Sequence, residues 1–167
     1  MEDARTSIRA GVRPSEAPAV DRRSILDRIR KAVGQAGSRD EQLRETVRLL
    51  SQAVRKYTWT GIYLVERDTL VLHNHLGLPT PHASIPMDNG ICGLAARQGR
   101  TVVVPDVGSD PRYLACSPAT RSEMVVPIFK DGDVVGEIDI DSDLPDAFDE
   151  EDRKLLEETA QLLGVIL

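Results

Sequence analysis

The sequence predicts an α+β fold: one antiparallel sheet, helices from both chain ends packed on one of its faces, and two long pocket-forming loops on the other. Three observations lead to it. Two tight turns, at Arg67 and Asp68 and at Lys130 to Asp133, each join a pair of short β-branched runs. Tight turns imply antiparallel pairing, because parallel neighbours need long crossovers. Apolar stripes at helical spacing lie near the two chain ends, the pattern of helices gathered on one side of a sheet. Finally, segments 76–90 and 105–121 carry proline, glycine and polar residues without a period. Loops of that length in a compact domain are commonly functional.

Taken in order, residues 1–20 hold Pro14 and Pro18 and no periodicity, and read as a flexible leader. Residues 21–37 read as an N-terminal helix. Asp21 or Ser24 is placed to cap it, Ile25, Leu26, Ile29 and Val33 share a face, and Gly34 or Gly37 ends it. Ser38 caps a second helix with Leu43, Val47, Leu50 and Val54 on one side, running to about Tyr57. Thr60 to Glu66 and Thr69 to His75 form the first hairpin. Leu76 to Asn89 reads as loop, since Pro79 and Pro81 lack the N–H that a ladder position needs. Gly90 to Gly93 leads into a short helix, Leu94 to Gln98, stopped by Gly99. Thr101 to Val104 is a short strand, and Asp110 with Pro111 starts a turn inside the second loop. Met124 to Phe129 and Val134 to Ile140 make the second hairpin. Pro145 breaks the chain. Asp149, Glu150 and Glu151 then open a last helix whose positive end they favour, with Leu155, Leu156, Leu162, Leu163 and Ile166 as its apolar stripe.

Composition bounds the function. A chain of 167 residues suits one domain plus an extension. A net charge of −6 argues against nucleic acid or an anionic membrane as partner. Arg22, Arg23, Arg28, Arg30 and Lys31 read as a solvated helix face. No apolar run approaches the roughly 18 residues that span a bilayer, and the N-terminus has no apolar signal core, so a cytoplasmic location is expected. Cys92 and Cys116 do not form a C-x-x-C pair. In a reducing compartment they are thiols at rest, and any pairing is transient and chemical.

The chemistry-bearing residues converge on the second hairpin. Cys116 stands in a small, polar loop, Glu123 opens one strand, and Asp139 and Asp141 close the next. Alternation points the two aspartates the same way, and the hairpin brings Glu123 to the same end. Crowded carboxylates raise one another's pKa, so that one holds a proton at neutral pH. Against this stand plainer readings: a solvated strand end for the acids, simple packing for Cys92, ordinary core for Trp59 and Tyr63. His73, His75 and His82 lack a further ligand at fixed spacing, so no metal is expected.

Several stretches carry a resemblance: T-W-T-G-I-Y-L, G-I-C-G-L-A, V-P-D-V, V-V-P-I, D-G-D-V-V-G-E-I-D-I-D-S and F-D-E-E-D-x-x-L-L. Together they make residues 38–167 similar to a GAF domain. T-W-T-G-I-Y, A-C-S-P-A-T-R-S-E-M-V-V-P and I-D-I-D-S further resemble the free methionine-(R)-sulfoxide reductases, a branch of that family. The resemblance implies Cys116 as nucleophile, Cys92 as candidate resolving thiol, and Glu123, Asp139 and Asp141 as the acids that bind and protonate the substrate. Trp59 and Tyr63 would be the aromatic wall. It also implies no bound cofactor, an external dithiol such as thioredoxin as reductant, and a homodimer, as in many GAF proteins. One departure stands out: a third family cysteine, ten positions before the Cys92 equivalent, falls here on His82. The alternative function is a GAF sensor module that holds a small molecule without turnover, and a third is a redox switch.

Overall fold

The computed structural model describes residues 21–115 and 117–167; the expected leader and Cys116 lie outside the described residues. Helix α1 spans Arg22–Gly34, and the Asp21 side chain caps it by accepting the Ser24 N–H. Helix α2 spans Arg39–Ala53 and opens on a reciprocal capping box between Ser38 and Glu41, which satisfies two otherwise unpaired N–H groups. It ends about one turn before the expected Tyr57, because Val54 is already extended. Tyr57 instead turns inward and donates its hydroxyl to Asp152 at 2.9 Å.

Strands β1 (Trp59–Glu66) and β2 (Thr69–Leu76) form the first hairpin, with Arg67 at its turn in the left-handed region, φ 59°. Strand β3 (Ser84–Pro86) lies within what the sequence presents as pure loop. It pairs with β2 at the sheet edge and buries Ile85. Pro79 and Pro81 precede it, and Pro86 is its last residue, so no proline interrupts it. Helix α3 spans Gly90–Gln98, four residues longer at its start than expected, which places Cys92 in its first turn. Strand β4 (Val102–Val104) is followed by a single 3₁₀ turn, Val107–Ser109. Strands β5 (Ser122–Lys130) and β6 (Asp133–Ser142) form the second hairpin, and α4 (Glu150–Ile166) closes the chain behind a second capping box, Asp149 with Asp152.

All six strands join one antiparallel sheet in the order β3-β2-β1-β6-β5-β4. Pro127 sits in β5 beyond the short reach of β4, which pairs only with Glu123 to Val125. There the outer edge of β5 tolerates a residue without an N–H. One sheet face carries Ile62, Met124, Val126, Ile138 and Ile140 and packs against the apolar stripes of α1, α2 and α4. Burying each such side chain contributes roughly 1.5–3 kcal/mol. The opposite face carries Trp59, Tyr63 and Val125 and is covered by α3 and the segment around Val107, with Ile85 of the edge strand β3 in the same apolar cluster. This second layer is where the fold holds its acids.

Asp152 fastens the helices together. Its side chain accepts from Tyr57, from Arg22 at 2.9 Å and from Lys56, and it caps α4 by accepting the Asp149 N–H. Burial pushes its pKa up, but hydrogen bonds from Lys56, the Asp149 N–H, Arg22 and Tyr57 outweigh that, and the net direction is down.

Candidate active site

Strand β6 alternates with a period of two. Ile138 and Ile140 face the helices, so Glu137, Asp139 and Asp141 face the other way. The ladder sets their neighbours. Asp141 lies between Trp59 of β1 and Glu123 of β5, Asp139 between Gly61 and Val125, and Glu137 between Tyr63 and Pro127. Trp59, Tyr63 and the four acids therefore share one face. Glu123, Glu137, Asp139 and Asp141 are each no more than 4% exposed, so water does little to solvate their charge.

Helix α3 brings Cys92 onto this row. Its thiol donates to Asp139 Oδ2 at 3.5 Å. Sγ of Cys92 and carboxylate oxygens of Glu123 and Asp139 all lie within 4.8 Å of one another. Thr120 donates its hydroxyl to Asp141 Oδ2 at 3.3 Å. Among the described residues, Glu123 Oε2, Asp139 Oδ1, Asp141 Oδ1 and both oxygens of Glu137 find no hydrogen-bond partner. No lysine, arginine or histidine among the described residues forms an ion pair with any of the four acids.

The electrostatic result is a proton-holding cluster. Burial, then the charges of Asp139, Asp141 and Glu137, push Glu123 well above the ordinary carboxyl range. Burial pushes Glu137 up to about 8, a weak contact with the Cys92 thiol pulling the other way. Burial and the Glu137 charge push Asp139 up to about 8. Burial and Asp139 push Asp141 well up. The Cys92 thiol is pushed well up too, by burial first and then by Asp139, Glu137 and Glu123. Such groups keep their protons at neutral pH and can donate them.

The aromatic pair is anchored to the first long loop. Trp59 Nε1 donates to the Leu78 carbonyl at 3.0 Å, and the Tyr63 hydroxyl donates to the His82 carbonyl at 2.8 Å. Trp59 lies 6.4 Å from Tyr63 and stacks on His75 at 5.3 Å. The indole crosses over Gly61, where an added Cβ would overlap its ring. The histidines do not converge: His73 pairs with Asp40 at 2.9 Å while His75 lies on Trp59.

The structure thus brings Cys92, Glu123, Asp139, Asp141, Trp59 and Tyr63 to one face. The sequence reading missed Glu137. Extending the Asp139–Asp141 alternation two residues backwards would have found it, but an acid in the middle of a strand reads as solvent-facing.

A six-stranded antiparallel sheet with helices on one face and a loop-covered acidic face defines a GAF architecture. The GAF domain family model matches residues 38–167, and the chain belongs to that family. Within it, the chain is similar to the Escherichia coli (strain K12) free methionine-R-sulfoxide reductase, at 33% identity over 125 residues, 75% of each protein. It is also similar to the X-ray structure of free methionine-R-sulfoxide reductase from Neisseria meningitidis in complex with its substrate. There the TM-score is 0.84 and the identity 36%, over 95% of each chain. GAF domain-containing protein A of Dictyostelium discoideum is 41% identical over 108 residues, 64% of this chain and 68% of that protein.

Proposed function

We propose that this chain reduces free L-methionine-(R)-sulfoxide to methionine, with Cys116 as nucleophile and Cys92 as resolving thiol. The observation that carries the proposal is the row of buried carboxyls beside the Trp59–Tyr63 wall, with which no basic side chain among the described residues forms an ion pair. Relatives named for this activity support it.

The parts fit the chemistry. A free amino acid brings an ammonium group, and an acid of the cluster that gives up its proton becomes the carboxylate that pairs with it. Trp59 and Tyr63 supply an apolar wall beside the acids for the thioether methyl. The Cys116 sulfur attacks the sulfoxide sulfur and gives its S–H proton to the cluster, while a carboxylic acid of the cluster gives a proton to the oxygen, so that the net step is thiol plus sulfoxide to sulfenic acid plus thioether. Glu123, Asp139 and Asp141 are the donors in reach of one another. The S–O bond breaks, methionine leaves, and Cys116 carries the oxygen as a sulfenic acid. An Asp139 that has given its proton to the departing oxygen is a carboxylate, and it takes the proton of the Cys92 thiol 3.5 Å away as that sulfur attacks the sulfenic sulfur and its hydroxyl leaves. Water is released and a Cys92–Cys116 disulfide forms. An external dithiol such as thioredoxin then reduces it by thiol–disulfide exchange. The cytoplasm, where such dithiols are maintained, is the expected compartment, and a homodimer the expected assembly.

One observation favours a second reading, a GAF module that binds a small molecule without turnover. Cys92 is buried and hydrogen-bonded in an acidic setting that disfavours its thiolate. The test is consumption of free L-methionine-(R)-sulfoxide, with the S epimer as control and dithiothreitol as reductant. R-selective turnover supports the reductase. Absence of turnover in a folded protein that still binds the R epimer would overturn it in favour of the binding module.

A further inference from the structure

We infer that Cys92, Glu123 and Asp139 form a site for a thiophilic divalent cation of the Zn2+ class, competing with substrate for the same acids. The competition rests on the reductase reading; the site itself does not. Three observations support the site. The donor atoms of these residues lie within 4.8 Å of one another, and all three side chains are buried. Glu123 Oε2 and Asp139 Oδ1 are buried oxygens without a hydrogen-bond partner among the described residues, so they have lone pairs to offer. And no basic side chain among the described residues forms an ion pair with Glu123 or Asp139.

The donor set selects the ion. Zn2+ binds thiolate at ~2.3 Å and carboxylate at ~2.0–2.2 Å in a tetrahedron, and Cys92 Sγ and Asp139 Oδ2 already stand 3.5 Å apart. Ca2+ and Mg2+ require six or more oxygen ligands or several retained waters, and a thiol serves neither. The fourth position falls to Asp141, two residues along from Asp139 on the same strand face, or to water. Binding is a proton exchange: the Cys92 S–H bond and the O–H bonds of whichever of Glu123 and Asp139 hold protons break, S–metal and O–metal bonds form, and the protons leave to solvent. The resolving thiol and two of the substrate-binding acids are then held together, so reductase activity and metal occupancy exclude each other.

Cobalt(II) is the probe, because thiolate ligation gives it a near-ultraviolet charge-transfer absorption. It is titrated anaerobically into the reduced full-length protein and then displaced with Zn2+. The band is expected in the wild type and in Cys116→Ser, with loss of most of it in Cys92→Ser. Glu123→Gln and Asp139→Asn should each weaken binding at least 10-fold, with folding checked by circular dichroism. Persistence of the wild-type band in Cys92→Ser, or no band in the folded wild type, would overturn the site. In the turnover assay Zn2+ should raise the apparent KM for the sulfoxide, reversibly with a chelator. An unchanged KM beside an intact cobalt band would overturn the competition but not the site. Absence of turnover without metal would indict the reductase reading alone.

Discussion

Replacing Glu137 with glutamine should remove a pH-dependent instability that this carboxyl builds into the fold. Glu137 is fully buried, and its only polar support is a weak contact with the Cys92 thiol, too poorly aligned to count as a full hydrogen bond. Burial moves its pKa from 4.5 to about 8 on folding. The sign follows from proton counting. Between those values the native state keeps the proton while the unfolded chain has lost it, so stability is complete below pH ~4.5 and declines as pH rises towards 8. At about 1.4 kcal/mol per pH unit, the penalty is about 3 kcal/mol at pH 7 and about 5 kcal/mol above pH 8. Glutamine keeps the volume and stays neutral, at a constant cost of about 1–3 kcal/mol for a buried amide without a partner. Urea unfolding at pH 5 and pH 8 gives the comparison. Stability curves of wild type and Glu137→Gln should diverge by about 4 kcal/mol over that interval, with the variant the more stable at pH 8. Parallel curves would refute the reasoning, because they would mean that Glu137 is solvated or paired in the native state.

Three further outcomes follow from the same geometry. Reductase kcat/KM should fall as pH rises through about 8, where Asp139 and Glu137 lose their protons; a rate rising steadily to pH 9 would remove the carboxylic acid as proton donor. Gly61→Ala should displace the Trp59 ring and raise the KM for sulfoxide on the order of 10-fold, with the change in tryptophan fluorescence as a second readout. Asp152→Ala leaves Arg22, Lys56 and Tyr57 without their shared acceptor and should cost about 3–5 kcal/mol in urea unfolding.

Much of the fold was legible because its signals are local. The turn residues at 67–68 and 131–132 announce both hairpins, and Asp21, Ser38 and Asp149 announce three helix starts. Strand β3 was not legible: three residues at an edge carry too little pattern to outweigh Pro79 and Pro81 nearby. The early start of α3 was hidden because Gly90 and Gly93 are poor helix formers, yet Gly90 begins the helix at φ 70°. Glu123, Asp139 and Asp141 could be placed together because a hairpin register is a two-strand problem. Bringing Cys92 and the aromatic pair onto the same row required a helix and a third strand at long sequence separation. Glu137 violates the expectation that mid-strand acids meet water, and only packing of the complete sheet reveals it as buried.

The most direct test of the account omits any external reductant. Fully reduced protein is mixed with excess L-methionine-(R)-sulfoxide, methionine is counted, and the protein is analysed by non-reducing peptide mass spectrometry. The account predicts one methionine per chain and a peptide pair joined through Cys92 and Cys116, with Cys92→Ser giving the same methionine yield but a sulfenic acid trappable on Cys116. No methionine from the folded wild type, or a full yield from Cys116→Ser, would contradict it.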